Sequence, residues 1–162
     1  MSDGLSWSYG ITTVPERSGG LLLRTVESLR AAGFSYPHLF VDGCSDATAY
    51  RELGLPVTTH QRNVRTTGHW ILSLWELWAK NPHADRFAIF QDDMVANIGL
   101  RDYLDHCKWP GEKSYLNLLT FRENHELLKD AAVGWHRSNQ RGMGAVALVF
   151  DAVAVKAILS SP

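Results

Sequence analysis

Short apolar runs alternate with amphipathic stretches along this chain, and each run ends in polar or turn-forming residues. Ser8 to Val14 (SYGITTV) is rich in β-formers and stops at Pro15, which predicts a first strand. Leu22, Val26 and Leu29 then recur at helical spacing, with Gly33 placed as a C-cap. His38 to Val41 (HLFV) predicts a second strand running into the turn-like Asp42-Gly43-Cys44-Ser45-Asp46, and Pro56 to His60 a third. Arg65 to Lys80 reads as a long helix with Trp70, Ile71, Leu74, Trp75 and Trp78 on one stripe, stopped by Asn81-Pro82. Arg86 to Gln91 (RFAIFQ) has the composition of a buried strand and leads directly into Asp92 and Asp93. Leu100, Tyr103, Leu104 and Cys107 mark another helix, closed by Trp109-Pro110-Gly111. Tyr115 to Thr120 and Ala145 to Phe150 are two later strands, and Asp151 to Leu159 a short final helix.

Strands that alternate with helices predict an α/β fold: a mostly parallel central sheet covered on both faces, a three-layer sandwich. Ligands of such sheets bind beyond the carboxyl ends of the strands, so the residues just after each strand matter most. No repeat, low-complexity tract or linker interrupts the pattern, and 162 residues suit one compact domain spanning 1–162.

Composition narrows the function classes. With 45% apolar and 20% charged residues the chain is ordinary globular protein, and a domain of this size can bury roughly 70% of its unfolded surface. A formal net charge of −1 argues against a strongly electropositive, sequence-independent grip on nucleic acid. Cys44 and Cys107 stand far apart without a CxxC pair and read as free thiols. The opening MSDGLSWSYG has no basic stretch followed by an apolar one, and no apolar run approaches the ~18 residues of a membrane span. The expectation is a cytoplasmic protein with no membrane span.

Three strand ends are polar in a consistent way: Thr12, Thr13, Pro15, Glu16 and Arg17 after the first, Asp42 to Asp46 after the second, and Gln91, Asp92 and Asp93 after the fourth. Adjacent carboxylates at a strand tip repel unless a cation compensates them. A small set of oxygen ligands suits Mg²⁺ or Mn²⁺, with phosphate oxygens completing the shell. A solvated acidic turn is the plainer alternative. Asp42 can accept hydrogen bonds from a nucleobase or ribose, and it is equally natural as a turn or helix-capping residue. Arg17 can pair with a diphosphate through its planar fork, or stand on the surface after a Pro turn.

ITTVPER, VDGCSDAT and IFQDDM, in this order and spacing, resemble the first, second and metal-binding motifs of GT-A glycosyltransferases. The resemblance covers about residues 8 to 150 and implies the GT-A (Rossmann-like) fold in a compact version. It implies a nucleotide-contacting loop matched by Thr12, Thr13, Pro15 and Arg17, and a base-reading acid at Asp42. The acidic "DxD" motif is matched by Asp92 and Asp93, with Asp93 the direct metal ligand and Asp92 nearer the sugar or ribose. Gln91 stands where many relatives carry an acid. The implied cofactors are Mn²⁺ or Mg²⁺ with a nucleotide-sugar donor, UDP-sugar by default. The implied reaction is transfer of the sugar to an acceptor hydroxyl.

The acceptor side is expected in Thr120 to Arg141. Glu123 is the first candidate for the general base that an inverting transfer needs, and Asp130 the second. By the resemblance, His136 supplies a further metal or diphosphate contact. Arg122, Lys129, Trp135, His136, Arg137 and Arg141 suit an anionic acceptor such as modified nucleic acid, while a saccharide or protein hydroxyl is equally compatible. Gly142, Gly144 and Ala147 spell GxGxxA but precede a strand instead of following one, so the dinucleotide-binding context fails. Two other functions share the fold. A sugar nucleotidyltransferase would need a Gly-rich, Arg-containing loop, which Val14 to Gly20 matches poorly; a non-catalytic nucleotide-binding module would bind nucleotide without transferring anything.

Overall fold

The structure, a computed structural model, describes residues 4–119, 135 and 146–160. Six strands form one sheet: β1 (Trp7–Thr13), β2 (His38–Asp42), β3 (Val57–His60), β4 (Arg86–Gln91), β5 (Tyr115–Asn117) and β6 (Ala147–Asp151). Their spatial order is β3-β2-β1-β4-β6-β5. The pairs β1–β2, β2–β3 and β1–β4 are parallel, whereas β6 runs antiparallel to both β4 and β5. The sheet is therefore mostly parallel, as the strand–helix alternation predicts, with β6 as its reversed member.

Among the described residues the α-helices beside it are α1 (Gly20–Ala31), α2 (Arg65–Lys80), α3 (Leu100–His106) and α4 (Ala152–Leu159). Alternation along each strand divides the core between two faces. Ile11, Leu39, Val41, Ala88, Phe90 and Val149 pack with Leu22, Val26 and Leu29 of α1 and Leu104 of α3. Their neighbours Phe40, Phe87, Ile89, Leu148 and Phe150 pack with Leu74 and Leu77 of α2 and Val155 of α4. The result is the expected helix–sheet–helix sandwich. β1 and β2 approach closely at Gly10, where an added Cβ would lie 2.5 Å from the Phe40 ring.

The helix ends follow local chemistry. α1 stops at Gly33, whose φ of 100° suits glycine. Asp151 caps α4 by accepting from the Ala154 N–H at 2.6 Å, and its other oxygen accepts from Trp109 Nε1 (3.1 Å) and the Ser114 N–H (3.0 Å).

The apolar stripe read along α2 meets the core only in part, through Leu74, Trp70 and Trp78. The buried positions of α2 are His69, Ser73, Leu74 and Leu77, while Ile71 and Trp75 are exposed and Trp70 and Trp78 half-buried. The buried face is rotated toward His69 and Ser73, because the helix also leans polar side chains against the β2–β3 edge. There His60 Nε2 meets Glu76 Oε1 at 2.6 Å, and His38 Nε2 lies 2.8 Å from Thr58 Oγ1 and 3.1 Å from Lys80 Nζ. No helix among the described residues is long and apolar enough to cross a membrane.

Candidate active-site cleft

Parallel register brings the carboxyl ends of four strands together. Thr12 lies beside Gln91, Thr13 beside Val41, and Asp42 beside His60. The strand order reverses between β1 and β4, since β2 and β3 extend to one side of β1 and β4 lies on the other. Such a switch point opens a crevice, because the connections on either side leave in opposite directions. The crevice here is an open cleft of about 500 Å³. Thr12, Thr13 and Arg17 line it from β1 and its loop, Asp42 from β2, and Gln91, Asp92 and Asp93 from β4.

Asp92 is the fixed point. It is 2% exposed, and its Oδ2 accepts from the Thr13 hydroxyl while Oδ1 accepts from Arg17 Nη1 at 3.0 Å. Thr25 of α1 donates toward the main-chain carbonyls of Asp92 (2.8 Å) and Met94 (2.7 Å), which ties the acidic turn to the helix behind it. Asp93 is the accessible member of the pair, with its side chain 36% exposed and Oδ2 2.9 Å from the same Arg17 Nη1. Arg17 thus bridges both acids, and their charges hold its guanidinium above its ordinary pKa, the Asp92 hydrogen bond contributing most.

Pro15 does not line the cleft. It opens the short 3-10 turn Pro15–Arg17, where its fixed φ suits a first position and sets the direction in which Arg17 leaves the strand. Asp42 is buried and lines the cleft, and both its oxygens accept from the Val64 N–H, at 3.1 and 3.2 Å. It therefore braces the entrance to α2, which is the capping alternative read across two segments. The turn role in DGCSD falls to Asp46, which accepts from the Thr48 N–H and hydroxyl at 2.8 and 2.6 Å. Glu123, Asp130 and His136, with Arg122, Lys129, Arg137 and Arg141, lie outside the described residues. Trp135 is half-buried and its ring lies 5.8 Å from that of Tyr103.

Asn63, Arg65, Thr66 and His69 complete the cleft and were not singled out from sequence. They follow β3, so the strand-end rule applied to the third strand as well as the others identifies them. Arg65 adopts φ 62°, a left-handed conformation that costs a side-chain-bearing residue about 1–2 kcal/mol, and Asn63 Oδ1 supports it by accepting its N–H at 2.9 Å. His69 is 4% exposed and its Nε2 is buried without a hydrogen-bond partner among the described residues. Burial drives its pKa down to about 4, against the opposing pull of Asp42. The imidazole is therefore neutral at pH 7.

A divalent cation fits this donor set in part. Among the described residues no three His, Cys, Asp or Glu side chains cluster as a metal site, and the adjacent pair Asp92 and Asp93 is the donor set they offer. Asp93 is accessible, oxygen ligands suit Mg²⁺ or Mn²⁺, and these ions commonly take their remaining ligands from phosphate and water.

No protein-family model matches the chain, and no curated protein matches it. Among solved structures the chain is similar to the crystal structure of S. aureus TarS, with 19% identity and a TM-score of 0.44. The likeness covers 62% of this chain and 19% of that one, so the chain spans under a fifth of that protein's length. An overlap of this extent carries no argument about activity. The functional reading rests on the cleft and its residues.

Proposed function

We propose that the cleft binds a nucleoside-diphosphate sugar and that the protein is a metal-dependent glycosyltransferase. The observation carrying this reading is the meeting of Thr12, Thr13, Arg17, Asp42, Asp92 and Asp93 at one switch-point crevice. Three carboxylates face two guanidinium groups there, those of Arg17 and Arg65. Such a cleft favours a cation first and an anion with it, which is the charge pattern of a metal-bound diphosphate.

Asp93 would hold Mg²⁺ or Mn²⁺, with Asp92 behind it. The metal, when bound, would offset charge on the departing diphosphate. Thr12 and Thr13 would bound the ribose side. Asp42, Asn63 and the unpartnered His69 Nε2 would face the base, where a neutral imidazole can donate or accept one hydrogen bond. UDP is the donor nucleotide we put first. The acceptor is a hydroxyl of a saccharide, a protein or a modified nucleic acid, and Glu123 and Asp130 are the candidates for its general base. The nucleotide-binding module without transfer remains the second reading, supported by Gln91 in place of an acid.

Incubation with a panel of UDP-sugars and Mn²⁺, followed by NMR of the released nucleotide, tests the activity. Donor turnover, even slow hydrolysis to water, is expected for one sugar and should fall at least tenfold in Asp93→Asn. Nucleotide binding with no turnover of any donor would favour the non-catalytic module.

A further inference from the structure

Arg17 contacts the acid pair in an unusual way for a permanent salt bridge. One nitrogen, Nη1, serves both Asp92 and Asp93, at 3.0 and 2.9 Å. Nε and Nη2 make no hydrogen bond within the described residues, so the planar fork that makes Arg–carboxylate pairs strong is not engaged. The side chain is half-exposed and stands on a three-residue turn. Asp92 and the backbone of the acidic turn are held independently of it: Thr13 fixes Asp92 Oδ2, and Thr25 fixes the carbonyls on both sides of Asp93. These hydrogen bonds do not involve Arg17, and the half-exposed Asp93 side chain is left free to take a new partner when Arg17 departs.

We propose that Arg17 is an exchangeable counter-ion, which neutralises Asp92 and Asp93 in the empty protein and moves to the diphosphate when the metal takes its place. The inference rests on the reading of the cleft as a metal–nucleotide site. Its physical basis is competition. A guanidinium nitrogen within 3.0 Å of both carboxylates occupies the space and the charge that a divalent ion requires. A metal arriving alone must displace Arg17 into water and gains only part of its binding energy. A nucleotide arriving alone meets two acids and an arginine already paired. Arriving together, the metal satisfies the acids and the diphosphate gives Arg17 a new bidentate partner. Metal and nucleotide therefore bind with positive coupling, and each raises the other's affinity by the same factor. The free cleft also avoids holding two uncompensated carboxylates side by side.

The test compares wild type, Arg17→Gln and Arg17→Lys. Mn²⁺ alone is titrated by the electron paramagnetic resonance of the free ion, and UDP is then titrated by calorimetry in saturating Mn²⁺. Arg17→Gln should bind bare Mn²⁺ on the order of tenfold more tightly, about 1.4 kcal/mol, because its competitor is gone. The same variant should bind UDP at least tenfold more weakly with Mn²⁺ present. Arg17→Lys keeps the competing charge and should leave bare-metal affinity near that of wild type. In wild type itself, the Arg17 guanidinium NMR signals should shift on adding Mg²⁺ and again on adding UDP. This second readout needs no variant to fold. Wild type that binds UDP with Mn²⁺, beside an Arg17→Gln variant with unchanged or weakened bare-metal affinity, would overturn the exchange and leave the nucleotide site standing. Absence of both metal and nucleotide binding in every form would overturn both.

Discussion

Asp92→Ala should lower the unfolding free energy measured in urea by about 1–3 kcal/mol, while Asp93→Ala should change it by no more than ~0.5 kcal/mol. The two residues are neighbours in sequence, and burial separates them. Asp92 is 2% exposed and is the acceptor for the Thr13 hydroxyl and one of two for Arg17. Its removal leaves a buried hydroxyl without that partner, which costs the desolvation of the hydroxyl. Arg17 is half-exposed and rehydrates, so its share is small. Asp93 has a side chain about a third exposed and, among the described residues, pairs with that same arginine alone. The functional effects should run the other way. Asp93→Ala should weaken metal-dependent nucleotide binding on the order of a hundredfold, about 2.7 kcal/mol, because the accessible ligand is lost from a folded site. Urea melts and calorimetry on the same two samples check both halves. Equal destabilisation by the two substitutions would contradict this division of labour.

Stability should fall steeply as pH drops from about 6.5 to about 4, and the buried His69 with the half-buried His38 should account for much of the fall. His69 is pushed down to about 4 by burial, although Asp42, Glu76 and Asp92 pull the other way and His60 assists. His38 is also lowered to about 4, by burial first and then by Lys80. Its geometry agrees, since Nε2 lies 3.1 Å from the Lys80 ammonium, whose charge disfavours a second positive charge on the ring. The sign follows from proton counting. Between pH 6.5 and 4 the unfolded chain holds protons on these rings and the native protein does not. Lowering the pH therefore favours unfolding, and the loss is complete below 4, where both states are protonated. At about 1.4 kcal/mol per pH unit, each histidine contributes on the order of 3 kcal/mol over this window. His69→Leu should flatten part of the profile. It should cost little at pH 7.5, because it removes an unpartnered buried nitrogen. Chemical denaturation of wild type and His69→Leu across pH 4 to 7.5 checks this. An unchanged slope in the variant would remove His69 from the account.

Much of this structure was legible in sequence, and the exceptions have physical causes. α2 runs from Arg65 to Lys80 and β4 from Arg86 to Gln91, as their periodicity and the Asn81-Pro82 stop indicate, because local signals determine both. The apolar stripe of α2 pointed to the tryptophans, yet its buried centre includes His69 and Ser73. Hydrophobicity cannot show that Glu76 and Lys80 on the same side of the helix find partners in His60, His38 and Thr58 of β2 and β3, which turns that side toward the sheet. The reversal of β6 was equally invisible, since a buried antiparallel strand between two neighbours carries the same ALVF run as a parallel one.

At the site, the strand-end rule located Thr13, Asp42, Asp92 and Asp93. It could not show that Asp42 braces Val64 or that Arg17 bridges the acids, because both contacts join segments far apart in the chain. Asn63, Arg65, Thr66 and His69 follow the third strand, which the sequence does announce, and the strand-end rule had only to be applied there to find them.

The most direct measurement of the central claim is calorimetric titration of UDP into the wild-type protein, with Mn²⁺ and with the metal removed by chelator. The account predicts saturable binding with Mn²⁺ that weakens at least tenfold without it. Equal binding in the two conditions would contradict the metal's place at Asp93, and no binding in either would mean that the cleft serves a different ligand.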